Sequence, residues 1–176
     1  MDYGTIYQKI LLEKKVSIPF TQVGKNIKEI LENNLRKQEG LCIEDGFLKP
    51  KSVSILSYSN GLLNDEFIDF NISYECDVCL PVEGMILECK VKNLTKAGIR
   101  GEIPNLEPSP AMIAVLRDHH VNNELFQTIK EGDTVIVEVI GVRYELYDKQ
   151  ISVLAELKTK KEEKKVIRKR KKKANV

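Results

Sequence analysis

The segment from Phe67 to Leu80 alternates apolar and polar side chains almost without a break. Ile68, Phe70, Ile72, Tyr74, Cys76, Val78 and Leu80 stand at the even positions, and Asp69, Asn71, Ser73, Glu75 and Asp77 lie between them. A period of two puts one set on a buried face and the other in water, so this is a strand and not a helix. A Pro81-Val82-Glu83-Gly84 corner ends the pattern, which restarts on the odd positions Met85, Leu87, Cys89 and Val91. The corner joins two β units, and the chain reads as two modules.

At 176 residues with 42% hydrophobic content, the chain can pack a core as one domain or two small ones. No apolar run reaches the ~18 residues that span a bilayer, so a soluble protein without a membrane partner is expected. Met1-Asp2-Tyr3-Gly4 lacks the basic-then-apolar pattern of a secretion signal. Four cysteines without a dense framework fit a reducing compartment. The net charge of +2 hides a split: residues 158–176 hold 11 of the 28 basic and 2 of the 26 acidic side chains, a net of +9 against −7 for the rest. A mildly acidic body with a basic tail points to a protein partner for the body, at least in part.

Tyr7 to Ile18 reads as a first strand, closed by Pro19. Val23, Ile27, Ile30, Leu31 and Leu35 recur at helical spacing and Gly40 supplies a C-terminal stop, which predicts an amphipathic helix over Gln22 to Gln38 with Lys25, Lys28, Glu29, Glu32 and Arg36 outward. Short strands are expected at Leu41 to Phe47 and Lys51 to Tyr58. Ser59-Asn60-Gly61 is a turn signal because Asn-Gly tolerates positive φ. The first 80 residues therefore predict an α+β module, a helix on a small antiparallel sheet. Further strands are read at Met85 to Leu94, Ala97 to Ile103, Met112 to Arg117, Thr134 to Tyr144 and Gln150 to Leu157, with no helix between 84 and 157. Five strands in that length predict an all-β OB barrel over 81–157. The remainder, 158–176, is a polar basic tail expected to lack a packed structure.

Chemistry-bearing residues are few. Cys76 and Cys79 sit three apart on a strand, so their sulfurs point to opposite faces, and no second CxxC pair exists to complete a metal site. A buried structural role is expected, with no metal and no cofactor. His119 and His120 fall in a polar segment and read as exposed; His119 is a candidate RNA contact through ring stacking. No nucleophilic triad order and no phosphate loop is present, so an enzyme is not expected. Leu62 and Leu63 flank the Asn-Gly turn with little core to enter, which fits either exposure for docking or a tuck beneath the sheet. The run Arg168-Lys169-Arg170-Lys171-Lys172-Lys173 suits nuclear import or sequence-blind nucleic-acid contact, as well as simple solubility.

Gly84-Met85-Ile86, Ala97-Gly98-Ile99-Arg100-Gly101, Ile129-Lys130-Glu131-Gly132-Asp133-Thr134-Val135 and Gln150-Ile151-Ser152-Val153-Leu154 resemble an OB barrel of the ribosomal S-one type. The elements in front are more specific: Val23-Gly24-Lys25-Asn26, Glu39-Gly40-Leu41-Cys42, Asp45-Gly46, Phe70 to Tyr74 and Leu80-Pro81-Val82-Glu83-Gly84. Together, over Tyr7 to Leu157, the chain resembles the stalk subunit of multisubunit DNA-directed RNA polymerases, which is the seventh-largest subunit of RNA polymerase II and has a counterpart in the archaeal RNA polymerase.

The resemblance implies a non-catalytic transcription subunit whose first module is a tip domain docked on the RNA polymerase core near the clamp. It implies that the turn from Ser57 to Asp65, with Ser59, Asn60, Gly61, Leu62 and Leu63, is the docking element. It also implies a barrel beside the exit path of nascent RNA, a smaller helical stalk partner subunit, and support of transcription initiation. Lys92, Lys96, Arg100, Arg143 and Lys149 are the candidate phosphate contacts, joined by His119. Ile99 stands where such barrels often carry an aromatic, so backbone-dominated RNA contact is expected. A nuclear location is implied, or cytoplasm and virion if a large DNA virus encodes the chain. A free-standing OB-fold RNA-binding factor of translation or RNA decay is the alternative, and it predicts strong RNA affinity from 81–157 alone.

Overall fold

The computed structural model describes residues 6–24, 26–120 and 124–158, with only the backbone of Glu124 and Leu125. Lys25 and the tail beyond Lys158 lie outside the described residues. The chain divides into two compact units.

One unit comprises residues 6–80 together with Tyr144–Lys149. Its spine is the alternating strand anticipated above. In chain order the elements are β1 (Tyr7–Pro19), helix α1 (Ile27–Arg36), β2 (Cys42–Ile43), β3 (Gly46–Leu48), β4 (Ser54–Tyr58), β5 (Leu62–Asn64) and β6 (Phe67–Cys79). β1 pairs antiparallel along all of β6, from Tyr7 opposite Cys79 to Pro19 opposite Phe67. The other edge of β6 is shared by β3, β4 and β5 in turn. Phe70, Ile72, Tyr74, Cys76 and Val78 of β6 are buried with Ile18, Val53 and Ile55, and Leu31 and Leu35 of α1 join the same cluster. Each such side chain contributes roughly 1.5–3 kcal/mol through burial.

Four details depart from the sequence reading. α1 begins at Ile27 rather than Gln22, because a 3-10 turn at Phe20–Gln22 and the poor helix former Gly24 occupy the start of the periodic stretch. Leu41 to Phe47 is not one strand but the two short arms β2 and β3. Leu80, placed by parity on the buried face, is 42% exposed, since the strand ends at Cys79. Asp69, placed by parity in water, is only 6% exposed.

Among the described residues, the other unit holds Pro81–Arg143 and Gln150–Lys158. Its strands are β7 (Ile86–Leu94), β8 (Gly98–Glu102), β9 (Ala111–Leu116), β10 (Thr134–Arg143) and β11 (Ile151–Leu157). They close in the order β10-β11-β9-β8-β7, β7 returning to β10. The β9–β11 pair is parallel and every other pair antiparallel. This is an OB-type closed barrel, which leaves no open sheet edge. Inward alternation fills it with Leu87, Cys89, Val91, Ile99, Ile113, Val115, Val137, Ile151 and Val153, all buried. Gly101 is the close-contact point: a Cβ there would lie 2.3 Å from Cys89 Sγ and 2.6 Å from the Lys90 carbonyl oxygen. Only a glycine lets β8 lie this tightly against β7.

Two helical pieces follow β9, where none was expected: a 3-10 turn at Arg117–His120 and α2 (Glu124–Thr128). Five residues are too few to leave a periodic signal. Tyr144–Lys149, which joins the last two barrel strands, falls with the first unit, where Cys42 N–H donates to the Asp148 oxygen (2.7 Å) and Tyr147 N–H to the Cys42 oxygen (2.8 Å).

Candidate docking hairpin and nucleic-acid face

Ser59, Asn60 and Gly61 do not form the hairpin turn. β4 and β5 both run antiparallel to β6, with registers that advance by one between Tyr58–Ile72 and Leu62–Asp69. They are one interrupted strand, and Asn60 is the extra residue of a bulge. The Ser59 N–H donates to the Asn71 oxygen (2.9 Å) and the Asn71 N–H to Ser59 Oγ (3.0 Å), which fixes the register just before the bulge. The turn lies further on, at Asp65 and Glu66, with Asp65 at φ +55°. Gly61 is needed for a different reason than turn geometry: a Cβ would stand 2.4 Å from Ile68 Cγ2 and 2.9 Å from Phe70 Cζ.

This arrangement turns Leu62 and Leu63 outward, 67% and 72% exposed. Phe20 (63%) and Phe67 (46%), which sequence reasoning missed, are exposed as well. Pro19, Phe20, Leu63, Asp65 and Phe67 line an open groove of about 630 Å³, and the Phe20 N–H donates to the Glu66 oxygen (2.9 Å) to hold its wall. The signal for Phe20 was the strand end at Pro19, whose register partner is Phe67. Leu63 shares this groove with Phe20 and Phe67, whereas Leu62, its neighbour on the strand, does not line it.

Beneath the hairpin, Asp69 gathers three strands. Its carboxylate accepts from Ser17 Oγ at 2.6 Å and Asn64 Nδ2 at 3.1 Å, and pairs with Lys15 Nζ at 2.8 Å. The Lys15 contact first, then the Ser17 and Asn64 hydrogen bonds, hold its pKa down at about 2. Asp69 thus ties β5 to β1 across β6.

The six candidate RNA contacts separate in space. Lys92 and Arg100 lie exposed on the β7–β8 hairpin, and Lys96 lies in its turn. Lys92 is paired with Glu102 at 3.1 Å, whereas Arg100 faces Asn93 and Ala114 across the sheet. His119 is exposed in the turn after β9, and the neighbouring Arg117 N–H donates to the Ala97 oxygen (2.9 Å), which sets this turn beside Lys96. Arg143 ends β10 opposite Ser152, at the other end of the barrel. Lys149 belongs to the first unit. The sequence supplied the residue types, but only the register sorts them.

The histidines differ from the reading of both as exposed. His120 is 7% exposed. Its Nε2 accepts the Leu157 N–H at 2.9 Å, so the ring proton sits on Nδ1 and is donated to the Leu116 oxygen at 2.8 Å. Phe126 stacks on the ring at 5.5 Å between centroids, and Arg117 covers the Phe126 ring. This is a structural clamp between β9 and β11. Phe126 is itself buried, and Tyr144 and Tyr147 lie in the first unit, so among the described residues the barrel surface offers bases no Phe or Tyr platform and His119 is its exposed ring.

Cys76 and Cys79 are both buried, and burial pushes their thiols up to about 11 and about 12. Among the described residues no three His, Cys, Asp or Glu side chains gather to hold a metal. No described helix is long and apolar enough to cross a membrane.

No protein-family profile matches the chain. It is similar to a protein of Acanthamoeba polyphaga mimivirus assigned as a DNA-directed RNA polymerase subunit, 26% identical over 175 residues that cover 89% of this chain and 84% of that protein. It is similar to DNA-directed RNA polymerase II subunit 7 of Arabidopsis thaliana, 32% identical over 96 residues, 53% of this chain and 54% of that protein. It is also similar to RNA polymerase II subunit RPB7 of Glycine max, 25% identical over 146 residues, 68% of this chain and 82% of that protein. The resemblance drawn from the sequence therefore holds: the chain's relatives are RNA polymerase subunits.

Proposed function

We propose that this chain is a non-catalytic stalk subunit of a DNA-directed RNA polymerase. In this reading residues 1–80 form the domain that docks on the polymerase core near the clamp, 81–157 form the barrel that contacts nascent RNA, and 158–176 form a basic tail. The observation that carries the reading is similarity to a polymerase subunit along 89% of the chain, a span that takes in both units. Leu62 and Leu63, with Phe20 and Phe67, are the docking side chains, because all four are exposed apolar groups at a hairpin that Asp69 ties to β1. Large apolar side chains of this kind supply interface energy once a partner covers them. The protein supports transcription initiation through this contact, alongside a smaller helical stalk partner. It works in the nucleus, or in the cytoplasm and virion if a large DNA virus encodes it.

The barrel contributes RNA contact by charge rather than by stacking. OB barrels bind single strands across the face of their second and third strands and the loop between the first and second. Here those are β8, β9 and the turn with Lys96, flanked by Arg100 and His119. Without an exposed Phe or Tyr on the described barrel surface, affinity rests chiefly on phosphate neutralisation and falls steeply with salt.

The test is binding of the purified chain to a polymerase core that lacks it. Leu62→Asp with Leu63→Asp is expected to abolish binding while leaving thermal unfolding unchanged, since both side chains lie outside the core. Undiminished binding by this double variant would refute the docking assignment.

A further inference from the structure

We infer that Asn60 is a self-modifying site, converting spontaneously to aspartate and isoaspartate and placing a negative charge next to Leu62 and Leu63. Three features of the bulge meet at this residue.

The first is access. Asn60 is exposed and belongs to neither β4 nor β5, so no ladder pairing holds its backbone in the extended form. The residue after it is glycine, and among the described residues the Gly61 N–H donates no hydrogen bond. Nothing on the Cα of Gly61 hinders its nitrogen from reaching the Asn60 side-chain amide. Asn60-Gly61 is the only Asn-Gly pair in the sequence.

The second is activation. Ser59 Oγ donates to the Asn60 carbonyl oxygen at 3.0 Å. That carbonyl belongs to the same peptide unit as the Gly61 nitrogen. A hydrogen bond to its oxygen stabilises the negative charge that develops when the nitrogen loses its proton, which makes the nitrogen a better nucleophile.

The third is that the fold retains the pair's reactive partner. A Cβ at position 61 would meet Ile68 and Phe70 at 2.4 and 2.9 Å, so packing on β6 demands glycine here. The requirement that shapes the bulge also keeps the Asn-Gly bond labile.

The chemistry needs only water. The Gly61 nitrogen attacks Asn60 Cγ, a C–N bond forms, and the side-chain amide leaves as ammonia, carrying away the displaced proton. Water then opens the five-membered imide at either carbonyl. Attack at the side-chain carbonyl gives aspartate; attack at the main-chain carbonyl gives isoaspartate, with the chain rerouted through the side-chain carbon. Either product replaces a neutral amide by a carboxylate.

The test is peptide mass mapping of the full folded chain after incubation at mildly alkaline pH, beside an Asn60→Gln chain. Expected is a mass increase matching replacement of NH2 by OH at residue 60, split between two chromatographic peaks. It should accumulate faster than at any other asparagine and be absent at position 60 of the glutamine variant, whose longer side chain closes the ring far more slowly. No change at residue 60, or change no faster than at the other asparagines, would overturn the inference. The readout is chemical and does not involve polymerase binding, so it stands or falls apart from the docking assignment.

Discussion

Asp69 illustrates how far a side chain's role can depart from its place in a pattern. Parity along β6 puts it in water, yet Lys15, Ser17 and Asn64 enclose it from two neighbouring strands. Those partners were invisible in the sequence, because they meet only once the β1–β6 and β5–β6 registers are set. Its pKa, lowered from 3.8 to about 2, gives the contact a pH signature. A carboxylate whose folded pKa lies below its unfolded value adds stability above the unfolded value, and that stability is lost as pH falls through the folded one. Asp69→Asn is therefore expected to lower stability near neutral pH, and the gap from the parent should close between pH 3.8 and about 2 in a denaturation series. His120 carries a second prediction at this scale. Its removal leaves the Leu157 N–H without its acceptor, so His120→Ala should cost about 1–3 kcal/mol in urea unfolding. The adjacent pair His119-His120 reads as two equal surface residues; the fold makes one a clamp and leaves the other exposed.

Elements were legible in proportion to their length. The thirteen-residue strands β1 and β6 and the barrel strands carry enough alternation to be read within a residue or two. Asn60-Gly61 misled for a specific reason: the pair is a strong hairpin signal, but here its glycine answers a packing demand from Ile68 and Phe70. The true turn, Asp65-Glu66, has no glycine to advertise it and uses Asp65 in the left-handed region instead. On the β7–β8 hairpin, Arg100→Ala and Lys96→Ala should each weaken single-stranded RNA binding about equally for all sequences. Each should also reduce the slope of log K against log salt by about 0.7–1, as removal of one phosphate contact does. Lys149→Ala, which lies in the other unit, should leave that slope unchanged. Fluorescence anisotropy over a salt series checks all three.

For the whole molecule, the barrel could be anticipated from five strands and a corner, and the strand order with its parallel β9–β11 pair is that of an OB-type closure. The exposed groove could not, since Phe20 and Leu63 lie far apart in sequence and share it only through the register on β6. An acidic body, a few exposed cations on the β7–β8 hairpin and exposed apolar side chains at the β5–β6 hairpin fit the proposed role inside a larger assembly better than a free RNA-binding factor. Purification of the tagged chain from its native source, washed at moderate salt with co-eluting proteins identified, tests this most directly. Expected are the large polymerase subunits in stoichiometric amounts with the parent chain and their loss with Leu62→Asp/Leu63→Asp. Recovery of RNA, ribosomes or nucleases with no polymerase subunit would contradict it.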